Sequence, residues 1–206
     1  MPDFAHEIRF GRQTGKIICG VDEVGRGPLA GPVVAASVIL PFDFPDALCA
    51  QIRDSKKMSA LAREKIYEPL REHCLFAIAE ASVEEIDRLN ILWATMLAMQ
   101  RAVEQLETKI DVALIDGNRA PKLSCEAVPI VGGDDLSLSI AAASIIAKVY
   151  RDRLMKKLAE KFPLYGWDHN AGYGTSEHIN ALTLHGITEC HRASFAPVRA
   201  AARKSV

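Results

Sequence analysis

Along the chain, short apolar runs alternate with longer stretches in which apolar residues recur at helical spacing. Residues 17–24 (IICGVDEV) are apolar until they end on a carboxylate pair and break at Gly25 and Gly27, which predicts a first strand. Residues 33–40 (VVAASVIL) predict a second. Ser59 opens an amphipathic helical stretch to about residue 73, and residues 75–81 (LFAIAEA) alternate as a third strand. Ser82-Val83-Glu84-Glu85 has the capping-box pattern, in which a serine oxygen and a glutamate carboxylate satisfy free N–H groups of a first turn, and it begins a helical region predicted to reach about residue 107. Residues 112–115 (VALI) form a continuous apolar run, as expected of a strand covered on both faces, and stop at Asp116-Gly117-Asn118. Residues 127–131 (AVPIV) repeat that design and stop at Gly132-Gly133-Asp134.

From residue 137 to about 162 the pattern is a helix, apolar in its first half and basic in its second. Beyond Pro163 the texture changes to YGWDHNAGYGT, followed by a helix opened by Thr175 and a polar tail. The fold class is α/β: three strands in series, then strands alternating with helices, and a small helical C-terminal extension. One catalytic domain over residues 1–206 is expected, with its core at about 16–163 and the extension at about 164–206.

The 206 residues carry 25 Lys and Arg against 26 Asp and Glu, with 49% hydrophobic and 25% charged, which excludes disorder, collagen and coiled coil as the main character. A net charge of -1 also argues against coating a polyanion through bulk charge, so positive charge for such a partner must be local. The five cysteines (Cys19, Cys49, Cys74, Cys125, Cys190) show no C-x-x-C spacing, which reads as a reducing compartment without a zinc site, and Cys19 reads as core packing. The longest apolar stretch, residues 28–42, is shorter than a membrane span and is punctuated by proline and glycine. The N-terminal MPDFAHEIRFGRQTG has no apolar h-region, so a cytoplasmic location and no membrane partner are expected.

Asp22 and Glu23, Asp116, and Asp134 with Asp135 each fall at or just past the end of an apolar run. In open α/β sheets that edge is where ligands bind. Pleating sends neighbouring side chains to opposite faces, but the glycines after Glu23 allow a turn that brings both carboxylates to one site. Two carboxylates about 4 Å apart repel by roughly 4 kcal/mol at an effective dielectric of 20, so such a cluster protonates or holds cations. Hard oxygen donors without His or Cys suit Mg²⁺ or Mn²⁺. Plainer readings stand beside this one: Asp116 as a turn residue, Asp134 or Asp135 as a helix cap, and a phosphate-binding α/β protein without nuclease activity. His169, His178, His185 and His191 lack the i, i+4 spacing of a helical metal pair and read as surface residues. Lys148, Arg151, Arg153, Lys156 and Lys157 read as a solvated basic face.

Six segments add a resemblance: CGVDEVGRGPLAGPVVAA at 19–36, DSKK at 54–57, NILWATMLAM at 90–99, LIDGN at 114–118, SIAAASIIAKVYRDR at 139–153 and YGWDHNAGYGTSEH at 165–178. In this order they resemble the type 2 ribonucleases H, specifically bacterial ribonuclease HII. The resemblance implies a ribonuclease H-like fold with a mixed five-stranded sheet flanked by helices. It also implies cleavage of the RNA strand of RNA/DNA hybrids and nicking 5′ of ribonucleotides embedded in duplex DNA, leaving 5′-phosphate and 3′-hydroxyl ends.

By motif, Asp22, Glu23 and Asp116 would be metal ligands and catalytic residues, with Asp134 completing the site for Mg²⁺ or Mn²⁺. Gly25, Arg26 and Gly27 would read the 2′-hydroxyl, the group that separates RNA from DNA. Tyr173 would pack on the neighbouring deoxyribose, its plainer reading being a buried core tyrosine. Ser55, Lys56, Lys57 and the helix carrying Lys148 to Lys157 would contact phosphates. Three positions depart from the family pattern: Asp135 adds charge beside Asp134, and Ala171 and Ala193 replace a common lysine and arginine. Each lost phosphate contact lowers the salt dependence of binding by about one unit of slope. The expected protein is a monomer without the extra N-terminal domain of the ribonuclease HIII type, and the tail RAAARKSV offers no docking motif. The competing enzyme is a nuclease or recombinase of the same superfamily acting on DNA alone.

Overall fold

The computed structural model describes residues 1–204, so the last two residues of the tail RAAARKSV lie outside the described residues. One mixed sheet in the order β3-β2-β1-β4-β5 organises the chain. Its strands are β1 (Ile18–Val24), β2 (Val33–Ile39), β3 (Leu75–Ala81), β4 (Val112–Asp116) and β5 (Glu126–Ile130). The first three form an antiparallel meander, and β4 and β5 add in parallel on the far side of β1. The helices are α1 (Ala5–Arg9), α2 (Asp46–Cys49), α3 (Ala60–His73), α4 (Val83–Leu89), α5 (Ile91–Glu104), α6 (Gly133–Leu136), α7 (Leu138–Lys161), α8 (Trp167–Asn170), α9 (Ser176–His185) and α10 (Ala196–Lys204).

Strand alternation sorts β2 between two cores. Val34, Ala36 and Val38 pack with α3 and α7, whereas Val33 and Ala35 pack with α5 on the other face. The long helix α7 crosses β1 so closely that a Cβ at Gly20 would lie 2.1 Å from the Ser139 carbonyl carbon. Gly20 is thus a glycine of contact between backbones, and it lets the N-terminal end of α7 sit against the central strand.

Two elements differ from the sequence expectation. The helical region opened by Ser82 is two helices, because Asn90 adopts φ +66° between them and its Oδ1 accepts the N–H groups of Leu92 and Trp93 to cap α5. Asparagine tolerates this left-handed geometry, so helical periodicity runs through the break unmarked. The strand β5 is not covered on both faces: it lies at the sheet edge, where Pro129 is tolerated, and only Ile130 of its five residues is buried. The capping box is present, with Ser82 and Glu85 exchanging hydrogen bonds.

Leu29 and Ala30 after β1, Met155 and Ala159 of α7, and Trp167, Leu182 and Val198 of the C-terminal extension share one apolar cluster. Two of the histidines expected at the surface are inside that region: His178 is 0% and His191 3% exposed, packed edge-to-face about Trp167 and Tyr165. Spacing alone could not place them, since the burial comes from packing between α9 and the segment before α10. Cys19 is buried in the core as expected. Among the described residues, no helix is long and apolar enough to cross a membrane.

Candidate active site

Because β1 and β4 are parallel neighbours, with Val21 opposite Ile115, their C-terminal ends deliver Asp22, Glu23 and Asp116 to the same sheet edge. One carboxylate oxygen from each lies within 4.8 Å of the others. The expected turn at the following glycines is not what joins the first two. The β1–β2 ladder continues through Val24 opposite Val34, so the reach of the side chains brings the oxygens together. Asp22 is 3% exposed and its Oδ1 accepts the Glu23 N–H at 2.7 Å, while Arg26 Nη1 donates to Glu23 Oε1 at 3.3 Å. From the far side, the Gly133 N–H donates to Asp116 Oδ1 at 2.7 Å, fixing that carboxylate against the start of α6.

Burial, reinforced by the charges of Glu23, Asp116 and Asp134, pushes the Asp22 carboxyl well above the ordinary aspartate range. Burial also raises Glu23, with Arg26 opposing and Asp116 adding to the rise. These groups are short of positive charge, and their donor set is hard oxygen throughout, which fits a divalent cation. Asp134 lies on α6 outside the group of three, with Oδ2 3.4 Å from Lys56 Nζ. Its carboxyl is raised by burial and by Asp116 and Asp54, against the pull of Lys56. Asp135 instead meets Lys57, whose Nζ lies 2.6 Å from Oδ1. Neither aspartate is the N-cap of α7, a place taken by Ser137, whose side chain accepts the Ile140 N–H.

The loop after β1 lies beside this edge. Gly25 has φ +92°, and a Cβ there would meet Arg151 Nε at 2.2 Å. A Cβ at Gly27 would lie 3.3 Å from the Tyr173 ring, so that ring faces the loop; Tyr173 is 46% exposed and is not a buried core tyrosine. Ser55 is buried, receives a hydrogen bond from Ser144 Oγ at 2.6 Å and is not open to a phosphate. Lys56 and Lys57 are exposed over the acidic edge. The basic face expected on α7 is broken up: Arg151 turns inward and is fully buried, Lys148 pairs with Asp152, and Arg153 pairs with Glu64, leaving Lys156 and Lys157 exposed. Ala171 takes φ +49° and gives its carbonyl to Arg151, and the Ala193 N–H donates to Asp87.

The sequence reading missed the buried Arg192, whose guanidinium reaches back to the loop after β1. No local pattern in HRASF marks it, because its partners lie more than 160 positions away.

The family described as Ribonuclease HII matches residues 19–198. A Ribonuclease HII of Paramagnetospirillum magneticum (strain ATCC 700264 / AMB-1) is 55% identical over 199 residues, covering 96% of this chain and 97% of its own. The crystal structure of ribonuclease H2 from Pyrococcus horikoshii OT3 superposes with a TM-score of 0.72 at 25% identity, over 91% of this chain and 97% of that one. The RNase HII of Archaeoglobus fulgidus, solved in complex with PCNA, gives a TM-score of 0.72 at 27% identity, over 85% and 93%.

Proposed function

This chain belongs to the ribonuclease HII family of endoribonucleases acting on RNA/DNA hybrids, and from that premise we propose that Asp22, Glu23, Asp116 and Asp134 form its hydrolytic site. The observation that carries the assignment is the meeting of three carboxylates at the C-terminal edge of two parallel strands. We read Asp22, Glu23 and Asp116 as the residues that hold the divalent cation, Mg²⁺ or Mn²⁺, with Asp134 completing the site. Held by these carboxylates, divalent cations would supply Lewis-acid polarisation of the scissile phosphate, a more acidic attacking water and charge stabilisation for the leaving 3′ oxygen.

The remaining work falls to the protein's own groups. Gly133 holds Asp116 by its N–H, so this carboxylate does not have to be reoriented when substrate arrives. Lys56 stands against Asp134 and offsets charge at the edge where a polyanion must approach. Gly25, Arg26 and Gly27 are the proposed readers of the 2′-hydroxyl, and Tyr173, facing Gly27, the platform for the next sugar. Lys56 and Lys57, with Lys156 and Lys157 on α7, are the exposed cations available to the phosphate backbone. The chain would work as one domain and as a cytoplasmic monomer.

A duplex carrying one ribonucleotide, incubated with Mg²⁺ or with Mn²⁺, tests the reading. A nick 5′ of the ribonucleotide is expected, with 5′-phosphate and 3′-hydroxyl products and no cut in the all-DNA duplex. Equal cleavage of both duplexes would favour a DNA-acting nuclease, and no cleavage with either metal would revive the binding-protein reading.

A further inference from the structure

Two arginines are fully buried beneath the loop that joins β1 to β2. Arg192 donates from Nε to the Gly31 carbonyl at 2.9 Å, from Nη1 to the Arg26 carbonyl at 2.9 Å and from Nη2 to the Gly25 carbonyl at 2.6 Å. Arg151 donates from Nε to the Pro32 carbonyl and from Nη2 to the Ala30 carbonyl, each at 3.1 Å, and from Nη1 to Ala171. Their hydrogen bonds are all to main-chain carbonyls, an unusual burial for two cations, since a buried charge is normally paired with an opposite one.

The direction of these bonds has a geometric consequence. In a trans peptide the N–H points opposite to the preceding C=O, and the described residues contain no cis peptide. With the Gly25 and Arg26 carbonyls drawn inward to Arg192, the N–H groups of Arg26 and Gly27 point away from the protein interior. Among the described residues neither of these N–H groups finds an acceptor.

We infer that Arg192 and Arg151 are positioning residues that fix this loop with its carbonyls inward and the Arg26 and Gly27 N–H groups outward, a preformed donor pair for the sugar hydroxyl of a ribonucleotide. The inference rests on the loop being the 2′-hydroxyl reader. It gives Gly25 a second reason to be glycine, because any Cβ there would collide with Arg151. Both guanidiniums also place positive charge directly under the loop, where it favours an anionic backbone on the outer side. Burial lowers Arg151 to about 10 and, with the charge of Arg151, lowers Arg192 to about 9, so both stay cationic at neutral pH.

The test is the Arg192→Lys variant, which keeps the charge but replaces a planar three-way fork with one ammonium. In the full-length protein with Mg²⁺, KM for a duplex with a single ribonucleotide should rise at least tenfold. The inhibition constant of an all-DNA duplex should stay within threefold of the parent. A purely structural role would lower the active fraction, and with it kcat, while leaving this preference intact; a folded Arg192→Lys protein whose preference is within twofold of the parent overturns the inference. If that variant does not fold, the unaltered protein labelled with ¹⁵N decides. The amide signals of Arg26 and Gly27 should exchange freely with solvent and shift on adding the ribonucleotide duplex but not the all-DNA duplex, and protected or indifferent amides overturn it. Failure of the parent protein to nick any duplex would instead overturn the function proposed above.

Discussion

Lys56 Nζ stands 3.4 Å from Asp134 Oδ2 while its neighbour Lys57 grips Asp135, so consecutive lysines on one turn face consecutive aspartates on another. The two pairs are chemically unequal. Asp134 is buried beside the carboxylate group and its charge is felt at Asp22, whereas Lys57 is exposed and Asp135 half-exposed.

Asp134→Asn should therefore lower the cleavage rate at least 100-fold, and Asp135→Asn should leave it within about threefold and change stability by less than about 1 kcal/mol, as for exposed ion pairs. Single-turnover rates and urea denaturation of the two variants check this. Equal losses, or a loss confined to Asp135→Asn, would reassign the fourth carboxylate.

Tyr173 should act through its ring rather than its hydroxyl. The ring faces Gly27, where a Cβ would lie 3.3 Å from it, and among the described residues no hydrogen bond fixes the phenol. Tyr173→Phe should cut a single embedded ribonucleotide at a rate within threefold of the parent, and Tyr173→Ala about tenfold more slowly. A loss as large in Tyr173→Phe would point to the hydroxyl.

Gly20→Ala should be among the most damaging single changes in the sheet. The added carbon would lie 2.1 Å from the Ser139 carbonyl carbon and 2.2 Å from the Ile140 nitrogen, and both are backbone atoms that cannot swing aside. Overpacking of this kind costs about 3 kcal/mol or more. Chemical denaturation measures it, and a loss under about 1 kcal/mol would mean that α7 is free to move off β1.

The buried histidines make stability depend on pH. The Thr188 N–H donates to His191 Nδ1, so His191 carries its proton on Nε2 and donates to His178 Nε2, which the Trp167 Nε1–H also approaches. That leaves His178 to donate from Nδ1 to the Tyr173 carbonyl. Neither ring has a place for a second proton, and burial together with His178 lowers His191 to about 4, while burial lowers His178. The unfolded chain binds protons near pH 6.5 that the folded chain refuses, so stability should fall as pH drops from about 6.5 towards 4, by at most about 1.4 kcal/mol per pH unit for each histidine. Urea denaturation across that range should show a shallower fall in His191→Gln than in the parent; parallel curves would contradict the network.

Much of this was legible in the order of residues. The five strands, the caps at Ser59, Ser82 and Thr175 and the carboxylates at strand ends follow from periodicity and local hydrogen bonding, which act over a few residues. The break at Asn90 escaped because one left-handed residue leaves the apolar pattern intact. Arg151, Arg192, His178 and His191 escaped for a different reason. Each is a polar residue buried by contacts from distant segments, and an arginine among other basic residues on α7 looks solvated until the loop it serves is known. Asp22 and Glu23 reach the expected edge without the expected turn, since the strand runs on past them.

The most direct test of the account is a divalent-cation titration of nicking at a single embedded ribonucleotide, with metal-stripped parent protein beside Asp22→Asn. We expect no nick from the parent without cation, a nick 5′ of the ribonucleotide once Mg²⁺ or Mn²⁺ is added, and none from Asp22→Asn at matched concentrations. Nicking by the metal-stripped protein, or by Asp22→Asn at the parent's rate, would contradict it.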